Sequence, residues 1–286
     1  VVTSVPRPEY PVAAMSAVVD VMEGSLNDSL KTIETSDKAR ASALRTSLNI
    51  ARIRCILDPR AVKLETWESW LSAMQIHSAV FAAAATDSES VTCRIRQEDR
   101  RLVATGPQFH VNAGTWISAF YLAVICREPA RLDMLAGVPV SLLRECGGEM
   151  DEYAYAWVET LQSFWLRRDD VSENLVRAVD LSAPEAARVV DAETMGKLLY
   201  PPIMLFYRYL RRDAEGFNAA LADALRWHRE YWTADADRLE NIEGAVSIAP
   251  LAIACLARAE SIPIEVDSPY LPEALLEFSW RGEFDA

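Results

Sequence analysis

The stretch Leu198–Trp232, LLYPPIMLFYRYLRRDAEGFNAALADALRWHREYW, decides the fold class. Pro201 and Pro202 can open a helix, because a proline in the first turn gives up an N–H that has no partner there. Apolar residues then recur at Leu205 and Tyr209. Past a turn around Gly216 they recur at Phe217, Leu221, Leu225 and Trp232. This is helical spacing on both sides of a break, the pattern of two packed core helices.

The rest of the chain repeats that signature. Residues 1–11 are proline-rich and read as an extended lead-in. Helices are expected at 12–34 and 37–57, the second ended by Asp58-Pro59. Leu64–Thr86 reads as one helix, with Trp67, Leu71, Met74 and Ser78 on one stripe. Its run Ala79–Ala85 is small and apolar all round, which suits a deeply placed helix. Val91, Cys93 and Ile95 alternate with polar neighbours, and a polar turn at Gln97–Arg100 leads to Leu102-Val103-Ala104. This predicts a single β-hairpin at about 90–105, packed on a helix or a partner.

Further helices are expected at 115–127, 130–136, 139–146 and 151–168. The last aligns Tyr153, Trp157, Leu161 and Trp165 in one ridge. Gly147-Gly148 is the candidate internal boundary. Asp170 with Glu173, and Ser182 with Glu185, read as capping boxes that open two helices. Helices at 192–200, 202–212, 214–231, 246–259 and 273–278 complete the reading. The expectation is a mainly α fold: one multi-helix domain over residues 12–286 with one small hairpin. Ten glycines in 286 residues are few for the glycine-rich turns of a parallel α/β enzyme.

Charge is uneven. Residues 1–150 carry 17 acidic and 16 basic side chains and residues 151–286 carry 25 and 13, so the second half holds −12 of the total −13. Such a surface repels nucleic acid and anionic membrane and attracts a basic partner. Four lysines against 25 arginines, with no basic stripe, also argue against nucleic-acid binding. Cys55, Cys93, Cys126, Cys146 and Cys255 are widely spaced and odd in number, which fits a reduced cytoplasm and inert buried thiols. No membrane span or secretion signal is expected.

Groups for chemistry are scarce. His77, His110 and His228 lie in no metal-ligand spacing. Neither a phosphate loop nor a nucleophile elbow is present, and no cofactor or metal is expected. The acids Glu149, Asp151 and Glu152, and Asp235, Asp237, Glu240 and Glu243, sit around helix starts, where the helix dipole favours them.

Five segments in order resemble the immunity protein 49 family of bacterial polymorphic toxin systems. They are LETWESWLSAMQIHSAVFAAA (64–84), GTWISAFYLAVICRE (114–128), DEYAYAWVETLQSFWLRR (151–168), LYPPIMLFYRYLRRDAEGFNAALADALRWHREYW (199–232) and APLAIACLARAESIPIEVDSPYLPEALL (249–276). The resemblance runs from about residue 10 to the end. It implies a cytoplasmic helical antitoxin, without catalysis, that binds and blocks a secreted toxin domain.

On electrostatic grounds the expected docking residues are Glu149, Asp151, Glu152, Asp235, Asp237, Glu240 and Glu243, facing a basic toxin. Tyr231 and Trp232 are the aromatic anchors, with a core role for Trp232 equally open. Two other classes stay open. One is a small-molecule hydrolase or transferase using His228, Glu230 and Asp235; the other is a helical protein-interaction scaffold.

Overall fold

The computed structural model describes residues 2–183 and 185–280. A short strand β1 (Thr3–Ser4) precedes α1 (Val12–Leu30), α2 (Asp37–Leu57) and α3 (Leu64–Ala85). The hairpin β2 (Ser90–Ile95) and β3 (Glu98–Val103) comes next. Then follow α4 (Ala113–Ile125), α5 (Pro129–Ala136), α6 (Val140–Arg144), α7 (Glu152–Trp165) and α8 (Val171–Leu181). The short α9 (Ala192–Thr194) runs through a π-helical turn, Met195–Leu199, into α10 (Tyr200–Leu210). After α11 (Ala214–Trp232) and α12 (Ala236–Glu240) come a 3₁₀ turn, Ile242–Ala245, and α13 (Ile248–Ala259). The chain closes with β4 (Val266–Asp267) and α14 (Glu273–Leu276). The fold is mainly helical with a small hairpin, as the periodicity predicts.

Helix α3 is the centre. Its small residues Ala73, Ala79 and Ala83 are wholly buried, and it packs against α2, α4, α5 and β2. Two of its buried hydroxyls are satisfied locally: Ser69 Oγ donates to the Thr66 carbonyl at 2.6 Å and Ser78 Oγ to that of Met74 at 2.9 Å. The aromatic ridge of α7 faces inward as expected. Trp157 Nε1–H donates to Tyr121 Oη at 2.8 Å on α4, and Trp165 Nε1–H to Asp133 Oδ1 at 2.7 Å on α5. On α11, Phe217, Leu221 and Leu225 are buried to the last atom.

Several boundaries differ from the sequence reading, each for a local reason. The hairpin turn is Arg96-Gln97, not Gln97–Arg100, because Ile95 pairs with Glu98 and Arg94 with Asp99. Glu98 and Arg100 share a face with the buried Leu102, and Asp99 lies on the other with the exposed Arg101 and Val103, so these polar residues belong to a strand rather than a loop. The prolines Pro201 and Pro202 lie within a continuous helical run rather than after a break. They have no N–H for the carbonyls four residues back, and the chain widens into a π turn just ahead of them. The break before α11 falls at Arg211–Asp213, and Gly216 is inside its first turn, donating to the Asp213 cap at 2.9 Å.

The two expected capping boxes do not form. Asp170 precedes α8 without a side-chain cap bond. Ser182 ends that helix instead of starting another, its hydroxyl donating back to the Ala178 carbonyl at 2.5 Å.

The N-terminal residues are not a free lead-in. β1 pairs in parallel with β4, and Arg7 donates to the carbonyls of Ala245 at 2.8 Å and Cys55 at 3.2 Å. The segment Ile242–Ala259 has the length and hydropathy of a membrane span. It is a 3₁₀ turn joined to α13, whose residues from Leu251 to Cys255 are core.

Arg40 on α2 is 1% exposed. Its guanidinium donates to three carbonyls, Ile33 at 2.9 Å, Glu34 at 2.6 Å and Val103 at 3.0 Å, and pairs with Asp37 at 2.9 Å. One side chain thus ties the α1–α2 connection to the end of β3. Arg40→Ala leaves these carbonyls without their donor and is expected to cost on the order of 3 kcal/mol in urea unfolding. A change below about 0.5 kcal/mol, the level of an ordinary surface substitution, would remove Arg40 from that role.

Candidate docking surface

Asp151 immediately precedes α7 and is 5% exposed. Its carboxylate accepts backbone N–H bonds from Arg188 at 2.6 Å, Val189 at 3.0 Å and Val190 at 2.8 Å. Burial by itself raises its pKa, but the three N–H bonds together outweigh burial and hold the carboxyl below the ordinary aspartate value. Asp151 therefore clamps the 186–190 loop to the start of α7 and is withdrawn from solvent. Its neighbour Glu149 is exposed. Glu152 is exposed but makes a two-pronged pair with Arg144, both bonds at 2.7 Å, and Arg144 lies over the Tyr155 ring at 3.9 Å.

The second acidic group lies around the end of α11. Asp235 caps α12, accepting the Arg238 N–H at 2.9 Å. Arg238 bridges Glu193 at 2.9 Å and Asp235 at 3.3 Å, and covers the Tyr231 ring at 4.1 Å. Lys197 joins Glu193 at 3.1 Å and Glu230 at 3.8 Å. Tyr231 Oη also meets Thr194 Oγ1 at 3.1 Å. Asp235, Arg238, Glu193, Lys197 and Glu230 therefore form one chain of alternating charge that fastens α9 to α11 and α12. Glu243 is drawn to the opposite side, 3.7 Å from Arg52 of α2. Asp237 and Glu240 stay exposed, with no ion pair among the described residues.

Trp232 is half-buried and packs on Gly244, where an added Cβ would lie 2.8 Å from the indole Cγ. It serves the 3₁₀ turn. The exposed tryptophan is Trp227, 40% accessible and one helical turn ahead of Tyr231. The sequence reading passed over it. The signal was its place two residues past Leu225, on the far side of the helix from the Phe217–Leu221–Leu225 stripe.

His228 is 7% exposed, 3.2 Å from the Gly244 carbonyl and edge-on to Tyr270. Glu230 faces Lys197 and Asp235 faces Arg238, so the three groups of the hydrolase alternative have separate partners. No cluster of three or more metal-ligating side chains occurs among the described residues. All five cysteines are buried and unpaired. Burial pushes the Cys55 thiol up to about 12.

Two predictions follow from the buried ionisable groups. Burial depresses both His77 and His228 to about 4, from an ordinary value of 6.5. A base whose folded pKa is depressed takes up its proton on unfolding. Stability is therefore full above pH 6.5 and falls as pH drops towards 4, by up to about 3 kcal/mol per histidine. Urea titrations across that window should show the fall, and His228→Gln should reduce it; a flat profile contradicts the assignment. Asp151→Ala strands three backbone donors and should cost about 2–4 kcal/mol. Hydrogen exchange at Val189 and Val190 should rise with it, and unchanged protection there would exclude the clamp.

No curated protein matches this chain. No solved structure matches it either. The family model described as Immunity protein 49 matches residues 58–275, leaving α1 and α2 outside the match. Covering most of the chain, that match places the protein in the Immunity protein 49 family.

Proposed function

We propose that the protein neutralises a cognate toxin domain by direct, stoichiometric binding, without turnover. Membership of an immunity-protein family implies an antitoxin role in general terms. The docking face we assign is the outer side of α11 with α12, centred on Trp227 and Tyr231 and rimmed by Asp237 and Glu240. The observation that carries it is Trp227, an exposed tryptophan on a helix whose opposite stripe is core. Exposed aromatics with a polar rim are the usual anchors of an interface. The acids beside it belong to the half with net charge −12, which would steer a basic toxin domain. Asp151, Glu152, Asp235 and Glu243 hold internal contacts instead and are assigned to the fold.

Five unpaired thiols suit a reducing compartment, and we place the action in the cytoplasm.

Co-expression with the toxin encoded beside the gene tests the reading: growth should be restored and the two chains should co-purify at equal stoichiometry. Trp227→Ala should weaken binding about tenfold or more, mainly by faster dissociation. Asp237→Lys with Glu240→Lys should slow association, most at low salt. Neutralisation without complex formation contradicts direct binding. A complex indifferent to all three substitutions moves the docking face elsewhere.

A further inference from the structure

A cavity of about 450 Å³ opens between α1, α2, α3 and the hairpin, well within the size range of small-molecule sites. Four of its lining residues, Glu65, Glu68, Ser72 and Gln75, recur at helical spacing and share one face of α3. Exposure falls along that face. Glu65 is exposed, Glu68 half-buried, Ser72 4% and Gln75 0% accessible. The cavity therefore deepens from two acids at its mouth to an amide at its floor.

The polar groups sort by whether the protein satisfies them. Arg96 is fully engaged, with Ser72 at 3.3 Å, Asn27 at 2.7 Å and Glu23 at 3.0 Å. Gln75 Oε1 accepts the Arg96 backbone N–H at 2.6 Å, which holds the hairpin turn on α3. Gln75 Nε2 is buried with no acceptor in the protein, and the same is true of Arg54 Nε and Arg94 Nε. Arg54 has only a long ion pair, 3.8 Å to Glu23, while Arg94 pairs through its Nη1 with Asp99 at 3.3 Å and leaves its Nε free. At the mouth, Glu65 and Glu68 make no ion pair among the described residues. Buried donors without acceptors are costly and rare, so such a cluster points to a ligand that supplies acceptors.

We propose that this cavity binds a small zwitterion, with its carboxylate at the floor against Gln75, Arg54 and Arg94 and its cationic group at the mouth against Glu65 and Glu68. Seven residues of helix, about 10 Å, separate Glu68 from Gln75. The two charges of the ligand must stand several bonds apart, which excludes an α-ammonium beside its own carboxylate. A basic amino acid fits, with its side-chain cation at the mouth, either free or as the carboxy-terminal residue of a peptide. The site is built from α1, α2, α3 and the hairpin, whereas Trp227 belongs to α11.

Calorimetric titration of the full chain with L-arginine and with glycyl-L-arginine tests it. At least one should bind saturably at a single site, and the tighter of the two identifies a free amino acid or a peptide end as the source. Citrulline lacks the cation and agmatine the carboxylate, and each should bind about tenfold more weakly or worse. Glu68→Gln touches an unpaired, half-buried side chain and should leave folding intact while closing the gap between arginine and citrulline. The proposal is overturned if neither probe binds saturably, or if Glu68→Gln folds and still prefers arginine by the same margin. Neutralisation by the Trp227→Ala variant reads the docking surface separately, so failure of one site is distinct from failure of the other.

Discussion

Burial of α3 from Ser69 to Phe81 is the constraint that everything else meets. A helix covered on every face leaves no room for large side chains all round, and Ala73, Ala79, Ala83 and Ala84 let neighbouring backbones approach closely. Ser69, Ser78 and His77 along it cannot reach water and bond within the helix, as His77 Nδ1 does with the Ala73 carbonyl at 2.8 Å, while Thr66 donates to Asp58 at 2.9 Å. Gln75 reaches outside the helix as well. It spends its oxygen on the hairpin turn, so the hairpin is held by the same helix that organises the core. A two-stranded hairpin is marginal alone; here Cys93, Ile95 and Leu102 are buried on α3 and Arg40 holds the end of β3.

The net charge of −13 gives a misleading picture of which acids are free. Much of the C-terminal acidity is spent inside the fold. Asp151 is consumed by three backbone N–H groups, Glu152 by Arg144, and Glu193, Asp235 and Glu230 by Arg238 and Lys197. Arginine suits this use because its planar fork can serve two carboxylates or several carbonyls at once. Of the seven acids expected at the docking face, Glu149, Asp237 and Glu240 stay exposed without an ion pair among the described residues. An acidic half is therefore a better guide to long-range attraction than to the residues in contact.

The N-terminal segment is held to the 266–268 stretch by a device that periodicity cannot reveal. β1 is two residues long and pairs with β4 across almost the full length of the chain. Ser268 Oγ donates to the Val5 carbonyl at 2.7 Å, and Arg7 lies against Cys55 and Ala245. A proline-rich stretch has no internal hydrogen bonds to announce what it will bind, so residues 1–11 read only as extended.

The sequence by itself determined the elements. Helical spacing placed α2, α3, α7 and α11, strand alternation placed the hairpin, and the order of five segments identified the family. These are signals between residues a few positions apart, set by backbone geometry and by which face must leave water. Only the tertiary structure decided which polar groups were free. Ser182 and Glu185 have capping-box spacing, yet Ser182 bonds backwards to close α8. Asp151 and Asp237 look alike in the chain, but one is enclosed by a loop 37 residues away and the other stays in solvent. Trp232 packs on the 3₁₀ turn, the second of the two roles open to it in the sequence, and Trp227 is left exposed. Partners distant in sequence settle such questions, because desolvation and hydrogen bonding depend on what arrives in space.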